Sequence, residues 1–464
     1  MLKSMIIVFC LCALFSTTLG YVNYDDYNVY RIYLDNEKKI DAYSEIEDLL
    51  KNLNVFGENG LQKSVDVMVG PTDQKQFLNL LEANKIDHQI FIENVGNLIE
   101  DPVRYSTRSG ESFNWTTYHN YDVINSWLDS LAVAYPGVVT VFTAGYSHLG
   151  AEIKAVRVAF NSSATKVAVI EGGVHAREWI GPATVTYILN EFLTSNDSSI
   201  RATAESLIWY FLPMCNPDGY NRTFTVDRMH RKNVQVVEGS NCTGYSGGNG
   251  IGTDLNRNFG FNWMSGGSSS NPCSVTYAGP AAFSSPESRA LRNVVDQVAD
   301  DLVLFLSFHS YSQLILLPYG HTASPLDNYY EQYSVARMAA DALEAYNGTR
   351  YTVGNTAEIL YIASGSSTDW VKGTYGPRIV YCFELRDSGQ YGFLLPADQI
   401  IDTSEETILS LVTLVEQMFR LDTLAPANPS NGTTGSDATK NSYTISLTTA
   451  CSLLIYLVRN YLVS

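Results

Sequence analysis

Apolar and polar positions divide the chain into two folded stretches with different rhythms. In the first, Tyr21 to Arg104, "YNVYRIYL" alternates as a strand does and "DAYSEIEDLLKNL" has helical spacing. "SVDVMVG" alternates again, "TDQKQFLNLLEAN" is helical, and "DHQIFIENV" reads as a closing strand. With a short strand near Asn54–Phe56, the order β-α-β-β-α-β predicts a small ferredoxin-like α+β domain. In the second stretch, Ser109 to Asp422, four near-continuous apolar runs stand out: "KVAVIE", "LIWYFLPM", "LVLFLSF" and "RIVYCFE". Helical segments such as "ATVTYILNEFL" and "YYEQYSVARMAADALEAY" lie between them, which predicts an α/β domain whose sheet is covered on both faces. Ligands of such sheets gather beyond the carboxyl ends of the strands. His175, Asn216, His309 and Glu384 follow or end these four runs in turn.

The remaining segments lack such periodicity. "MLKSMIIVFCLCALFSTTLG" has the Lys3, apolar run and small residues of a secretory signal peptide, with cleavage after Gly20. "DPVRYSTRSGESFNW" is polar and carries Arg104 and Arg108. It is either an exposed linker that a trypsin-like protease cuts or a plain interdomain connection. After Asp422, "LAPANPSNGTTGSDATKNS" is small and polar, followed by the apolar "YTISLTTACSLLIYLV" and Arg459. That tail reads as a glycolipid-attachment signal, as a short membrane span with Arg459 on the inner side, or as an unanchored end. The expected organisation is signal 1–20, a first domain with its linker over 21–108, a second domain over 109–422, and the tail 423–464.

Composition sharpens this picture at three points. A formal charge of −18 over 464 residues argues against a nucleic-acid partner, which requires a basic surface. Sequons at Asn114, Asn161, Asn196, Asn221, Asn241 and Asn347 accord with a secreted, extracellular chain. Among the cysteines outside the signal and tail, Cys242 and Cys273 sit in Gly/Ser-rich sequence where an oxidising compartment favours a bridge. Cys215 and Cys382 border or occupy strand runs and read as buried thiols, though sequence leaves other pairings open.

The chemistry concentrates in "EGGVHAREWIGP", directly after the run "KVAVI". Gly172 and Gly173 permit a tight exit from the strand, and Pro182 suits the first turn of a helix. His175 and Glu178 then share one side of a strand-to-helix turn, and both are good zinc ligands. His-x-x-Glu alone is weak: it also occurs in ordinary surface turns, and a catalytic zinc needs a third protein ligand.

Further motifs follow in order: "NPDGY", "DLNRNF", "FHSYSQLILLPYG", "YIASGSSTDW" and "FELRDSGQYGFLLP". Together with "EGGVHAREW" they resemble the zinc metallocarboxypeptidases of the carboxypeptidase A/B family, from about Tyr118 to Leu421. The N-terminal unit resembles that family's activation domain. The resemblance implies a mixed eight-stranded sheet with helices on both faces, one Zn2+ per chain, and a zymogen freed by cleavage at Arg104 or Arg108. It further implies a monomer acting on peptide C-termini, secreted and, if the tail anchors it, held at the cell surface.

Matched motif by motif, His175, Glu178 and His309 would hold zinc, with Asp254 fixing the first imidazole. Glu384 would be the general base and Arg231 the cation that holds the developing oxyanion. Asn256 and Arg257 would take the substrate's terminal carboxylate, and Tyr361 would close over it. Arg177, Ser310, Tyr311 and Phe393 would line the approach for preceding residues. His230 stands where the family often has an aromatic residue, and the 30-residue loop between Cys242 and Cys273 is longer than in typical members. The family-like sequence after that loop supports a Cys242–Cys273 bridge.

Thr368 occupies the position that carries Asp in members cutting basic ends, so an A-type preference for neutral, mainly apolar or aromatic, C-terminal residues is expected. Glu358 nearby would add negative charge if it turned inward. The alternatives are B-type or regulatory-type specificity, or a non-catalytic peptide-binding relative.

Overall fold

The computed structural model describes residues 21–99, 113–238, 240, 242 and 251–424. The signal segment, Arg104, Arg108, Asn241 and the tail from 425 lie outside the described residues. The first domain runs β1 (Asn28–Tyr33), helix Glu37–Leu49, β2 (Asn54–Asn59), β3 (Ser64–Val69), helix Gln74–Ala83 and β4 (Asp87–Ile92). Its sheet has the order β2-β3-β1-β4 with antiparallel pairing throughout, as the predicted ferredoxin-like order requires. One face carries the two helices over a core that includes Tyr30, Ile32, Phe77 and Leu81. Part of the opposite face docks on the second domain. Val29, Phe56, Met68 and Ile92 form one apolar cluster with Met229, Tyr311, Phe393 and Leu394 of the second domain.

The second domain is built on β5 (Val139–Tyr146), β6 (Glu152–Val158), β7 (Val167–Gly172), β8 (Ile208–Leu212), β9 (Leu302–Ser310), β10 (Leu314–Leu317), β11 (Thr352–Asn355) and β12 (Ile379–Leu385). Among the described residues these form a mixed eight-stranded sheet in the order β11-β10-β12-β9-β7-β8-β6-β5. The four apolar runs are the parallel centre, β8-β7-β9-β12, and nearly every residue in them is buried. A strand covered on both faces has no polar side to present, which is why these runs lack alternation.

Two glycines let the chain turn where the site is assembled. Gly173 leaves β7 at φ +65°. Gly365 has φ +78°, and a Cβ there would lie 2.3 Å from the Arg257 carbonyl. The last helix, Ile400–Leu424, extends slightly past the boundary expected from sequence. The side chains of Asn161, Asn196, Asn221 and Asn347 are exposed.

The disulfide Cys242–Cys273 is present, and Cys215 and Cys382 are buried free thiols. No helix among the described residues is long and apolar enough to cross a membrane.

Candidate active site

Strand ends place His175, Glu178, His309 and Glu384. His175 lies in the turn between β7 and helix Ile180–Thr194, where Glu178 N–H donates to the His175 carbonyl at 3.4 Å. This single turn sends both side chains the same way. His309 and Glu384 are direct neighbours across the parallel pair β9–β12, so register alone brings them together. Asp254, Asn256 and Arg257 come from the short turn Leu255–Arg257, which Asp254 caps through the Asn256 N–H.

Three donors converge. His175 Nδ1 lies 2.9 Å from Glu178 Oε1, His309 Nδ1 lies 3.0 Å from Glu178 Oε2, and the two Nδ1 atoms are 3.1 Å apart. On the far side of the first ring, His175 Nε2 meets Asp254 Oδ1 at 3.1 Å, which holds the proton on Nε2 and turns the Nδ1 lone pair inward. Donors around tetrahedral zinc lie about 3.3 Å apart, given bonds of roughly 2.0–2.2 Å. The observed separations are within a few tenths of that, so His175, Glu178 and His309 fit the ion.

The electrostatics agree. Burial raises the pKa of Glu178, but the His175 and His309 rings outweigh it and hold the carboxyl well below its usual range. Burial lowers the pKa of His309, yet Glu178, Glu384 and Glu171 together push it up to about 9.

Glu384 is half-buried beside this cluster and is not paired with Arg386, which donates to Glu406 instead. Burial pushes Glu384 up to about 8 against the pull of His309, Arg231 and Arg257. Arg231 is anchored on Asp254 Oδ2 at 3.0 and 3.2 Å, with Nη1 3.7 Å from Glu178 Oε1. The Ser367 N–H donates to Asn256 Oδ1 at 2.9 Å, so the amide nitrogen is the end left for a ligand. Arg257 donates to the Gly267 and Asn256 carbonyls and to Tyr361 Oη at 3.3 Å. His230 is buried, with Nε2 3.1 Å from the Asn233 carbonyl and its pKa lowered to about 3 by burial.

A single cavity, roughly 90 Å³ open to water-sized molecules, is lined by His175, Glu178, Arg231, Asn256, Arg257, Ser310, Tyr311, Tyr361, Thr368, Glu384 and Phe393. Leu316, Gly320, Thr356, Ala363, Ser366 and Cys382 also line it. Glu358 is exposed and does not reach it. Arg177 lies just outside, with its guanidinium 3.9 Å from the Phe393 ring centroid.

The first domain supplies lining residues that sequence did not identify: Phe56, Gly57 and Glu58 of β2. The Phe56 ring centroid lies 5.0 Å from that of Phe393, and Arg177 donates to Asn54 Oδ1 at 3.4 Å and the Val55 carbonyl at 3.3 Å. Tyr311 Oη donates to Asp66 at 3.0 Å, and Asp66 is itself held bidentately by Arg31 at 2.7 Å. Burial raises the pKa of Glu58 while Arg257 and Arg231 pull it down. No residue type in "NVFGEN" marks these contacts, because they exist only once two domains dock. Cys382 and Ser366 were also missed as wall residues.

Comparison with known proteins agrees with this arrangement. The profile described as zinc carboxypeptidase matches residues 124–410, and the one described as carboxypeptidase activation peptide matches residues 30–101. A zinc carboxypeptidase A 1 from Anopheles gambiae is 40% identical over 400 residues, covering 85% of this chain and 90% of that protein. A carboxypeptidase B from Astacus astacus is 44% identical over 294 residues, covering 63% and 94%. The crystal structure of the carboxypeptidase A from Helicoverpa armigera superposes with a TM-score of 0.75 at 27% identity, covering 85% of this chain and 98% of that one.

Proposed function

The chain belongs to the zinc carboxypeptidase family and is a metallocarboxypeptidase made with an activation peptide, and from that premise we propose a secreted exopeptidase that removes neutral, mainly apolar or aromatic, C-terminal residues. The observation that carries the specificity is uncharged Thr368 in the cavity lining, at the position where members cutting basic ends carry Asp. A Lys or Arg side chain would find no carboxylate at position 368, which argues against the B-type specificity that the name of one relative carries. Secretion rests on the signal-like segment 1–20 together with the disulfide, a bond characteristic of oxidising compartments.

In this reading Asn256 and the remaining Nη1 and Nη2 protons of Arg257 take the terminal carboxylate, and Tyr361 covers it. Zinc held by His175, Glu178 and His309 supplies Lewis acidity and lowers the pKa of water in the site. Glu384 removes a proton from the attacking water and delivers it to the departing amine. Arg231, fixed by Asp254, keeps a cation where negative charge develops on the carbonyl oxygen, at no reorganisation cost. Ser310, Tyr311, Arg177 and Phe393 receive the preceding residues, a surface that β2 covers in the uncleaved chain.

The test is direct. The precursor, treated with trypsin to cut at Arg104 or Arg108, is assayed on blocked dipeptides that differ in their last residue, with and without a zinc chelator. Phe- and Leu-ended peptides cleaved in preference to Lys, abolished by chelation and by Glu384→Gln, is the expected result. Lys-ended peptides cleaved faster would refute the specificity, and full activity in Glu384→Gln would refute the mechanism.

A further inference from the structure

Ser366 and Thr368 both face the cavity, and their hydroxyl oxygens lie 3.2 Å apart. Ser366 Oγ also accepts the Asp369 N–H at 3.1 Å, capping helix Ser367–Tyr375. Each hydroxyl has one proton to give. Only one of the two protons can lie between the two oxygens, whichever side donates. Among the described residues no other acceptor is bonded to either oxygen. The second proton is therefore unspent, and only something inside the cavity can take it. Thr356 is the complement: its hydroxyl donates to the Leu317 carbonyl at 2.9 Å, so it offers the cavity lone pairs alone.

A Phe or Leu side chain would fill the space and leave the spare donor buried and unpaired, which is costly in a site closed to water. A phenol or a carboxamide supplies an acceptor for Ser366 or Thr368 and a proton for Thr356. We propose that the Ser366–Thr368 hydroxyl pair makes this pocket select C-terminal residues whose neutral side chains end in a hydrogen-bonding group, tyrosine over phenylalanine and glutamine over methionine. The inference rests on the neutral-end exopeptidase reading and narrows its substrate class.

The experiment compares kcat/KM of the trypsin-matured enzyme on four blocked dipeptides ending in Tyr, Phe, Gln and Met. Binding of the same four peptides to the matured Glu384→Gln protein, followed by calorimetry, gives the ratios without turnover. Tyr:Phe and Gln:Met ratios of about tenfold each are expected. Thr368→Val alone or Ser366→Ala alone leaves one hydroxyl with its proton free, so both ratios persist. The double variant, Ser366→Ala with Thr368→Val, removes the donor and brings both ratios to about one. Ratios are internal to each preparation, so partial misfolding does not mimic the effect. Either wild-type ratio at or below one, or ratios unchanged in the double variant, overturns the proposal. A Lys-first ranking or absent turnover refutes the function proposed above, while the binding ratios still decide the role of the hydroxyl pair.

Discussion

Phe56→Ala in the full-length chain tests how the activation domain shuts the cleft. Phe56 is 2% exposed, with its ring 5.0 Å from Phe393, 6.5 Å from Tyr311 and 5.8 Å from the Arg177 guanidinium. All three partners belong to the catalytic domain. Truncating an aromatic anchor at the centre of a dry interface costs about 2–4 kcal/mol. The cost of about 3–5 kcal/mol for emptying a core site is an upper bound, because undocking already hydrates part of the ring. At 1.4 kcal/mol per decade, the fraction of undocked zymogen rises about 30- to 700-fold. The assay is hydrolysis of a long peptide by uncleaved zymogen, divided by the activity of the same sample after trypsin. Phe56 departs with the activation segment, so the matured enzyme is wild type and the ratio reports docking alone. A ratio that rises less than about threefold would show that closure rests on the Asp66–Tyr311 bond and the Arg177 contacts, without Phe56.

Three further outcomes follow from the site. Asp254→Asn removes the acceptor behind His175 and the anchor of Arg231, so zinc affinity measured by chelator competition should fall about 10- to 100-fold and kcat/KM with it. Thr368→Asp puts a carboxylate into the pocket and should shift the preferred end from neutral residues toward Lys or Arg; unchanged ranking across a peptide panel would show that Thr368 does not face the bound side chain. Burial pushes Glu384 from 4.5 to about 8 in the closed zymogen, and its basic form is lost as pH falls through that value. Opening the cleft rehydrates it, and a cation at the three ligands lowers it further, so the acid limb of kcat/KM in the matured enzyme should fall between these two values. A limb at or below 4.5 contradicts the assignment of Glu384 as base.

Much of the molecule was legible before any coordinates. The order β-α-β-β-α-β and the four unbroken apolar runs predicted both domains, because burial on one face or on two writes a different period into the chain. His175 and Glu178 could be paired from sequence since a single turn connects them. His309 and Glu384 could be suspected as strand ends, but only parallel register sets them side by side. The resemblance assigned roles to these residues. It did not reveal that Asp254 braces His175 and Arg231 at once, or that Arg386 pairs with Glu406 rather than with Glu384.

The sequence by itself determined the local elements, the strand ends where chemistry collects, and the uncharged character of position 368. Tertiary structure decided which surfaces meet. Strand β2 reaches the catalytic cleft through Phe56 and Glu58, and the spare proton of Ser366 and Thr368 is defined by what surrounds both oxygens. Periodicity records whether a residue is buried, a property each segment carries along its own length. It holds no record of which distant segment does the burying, because that depends on contacts the chain makes only after it has folded.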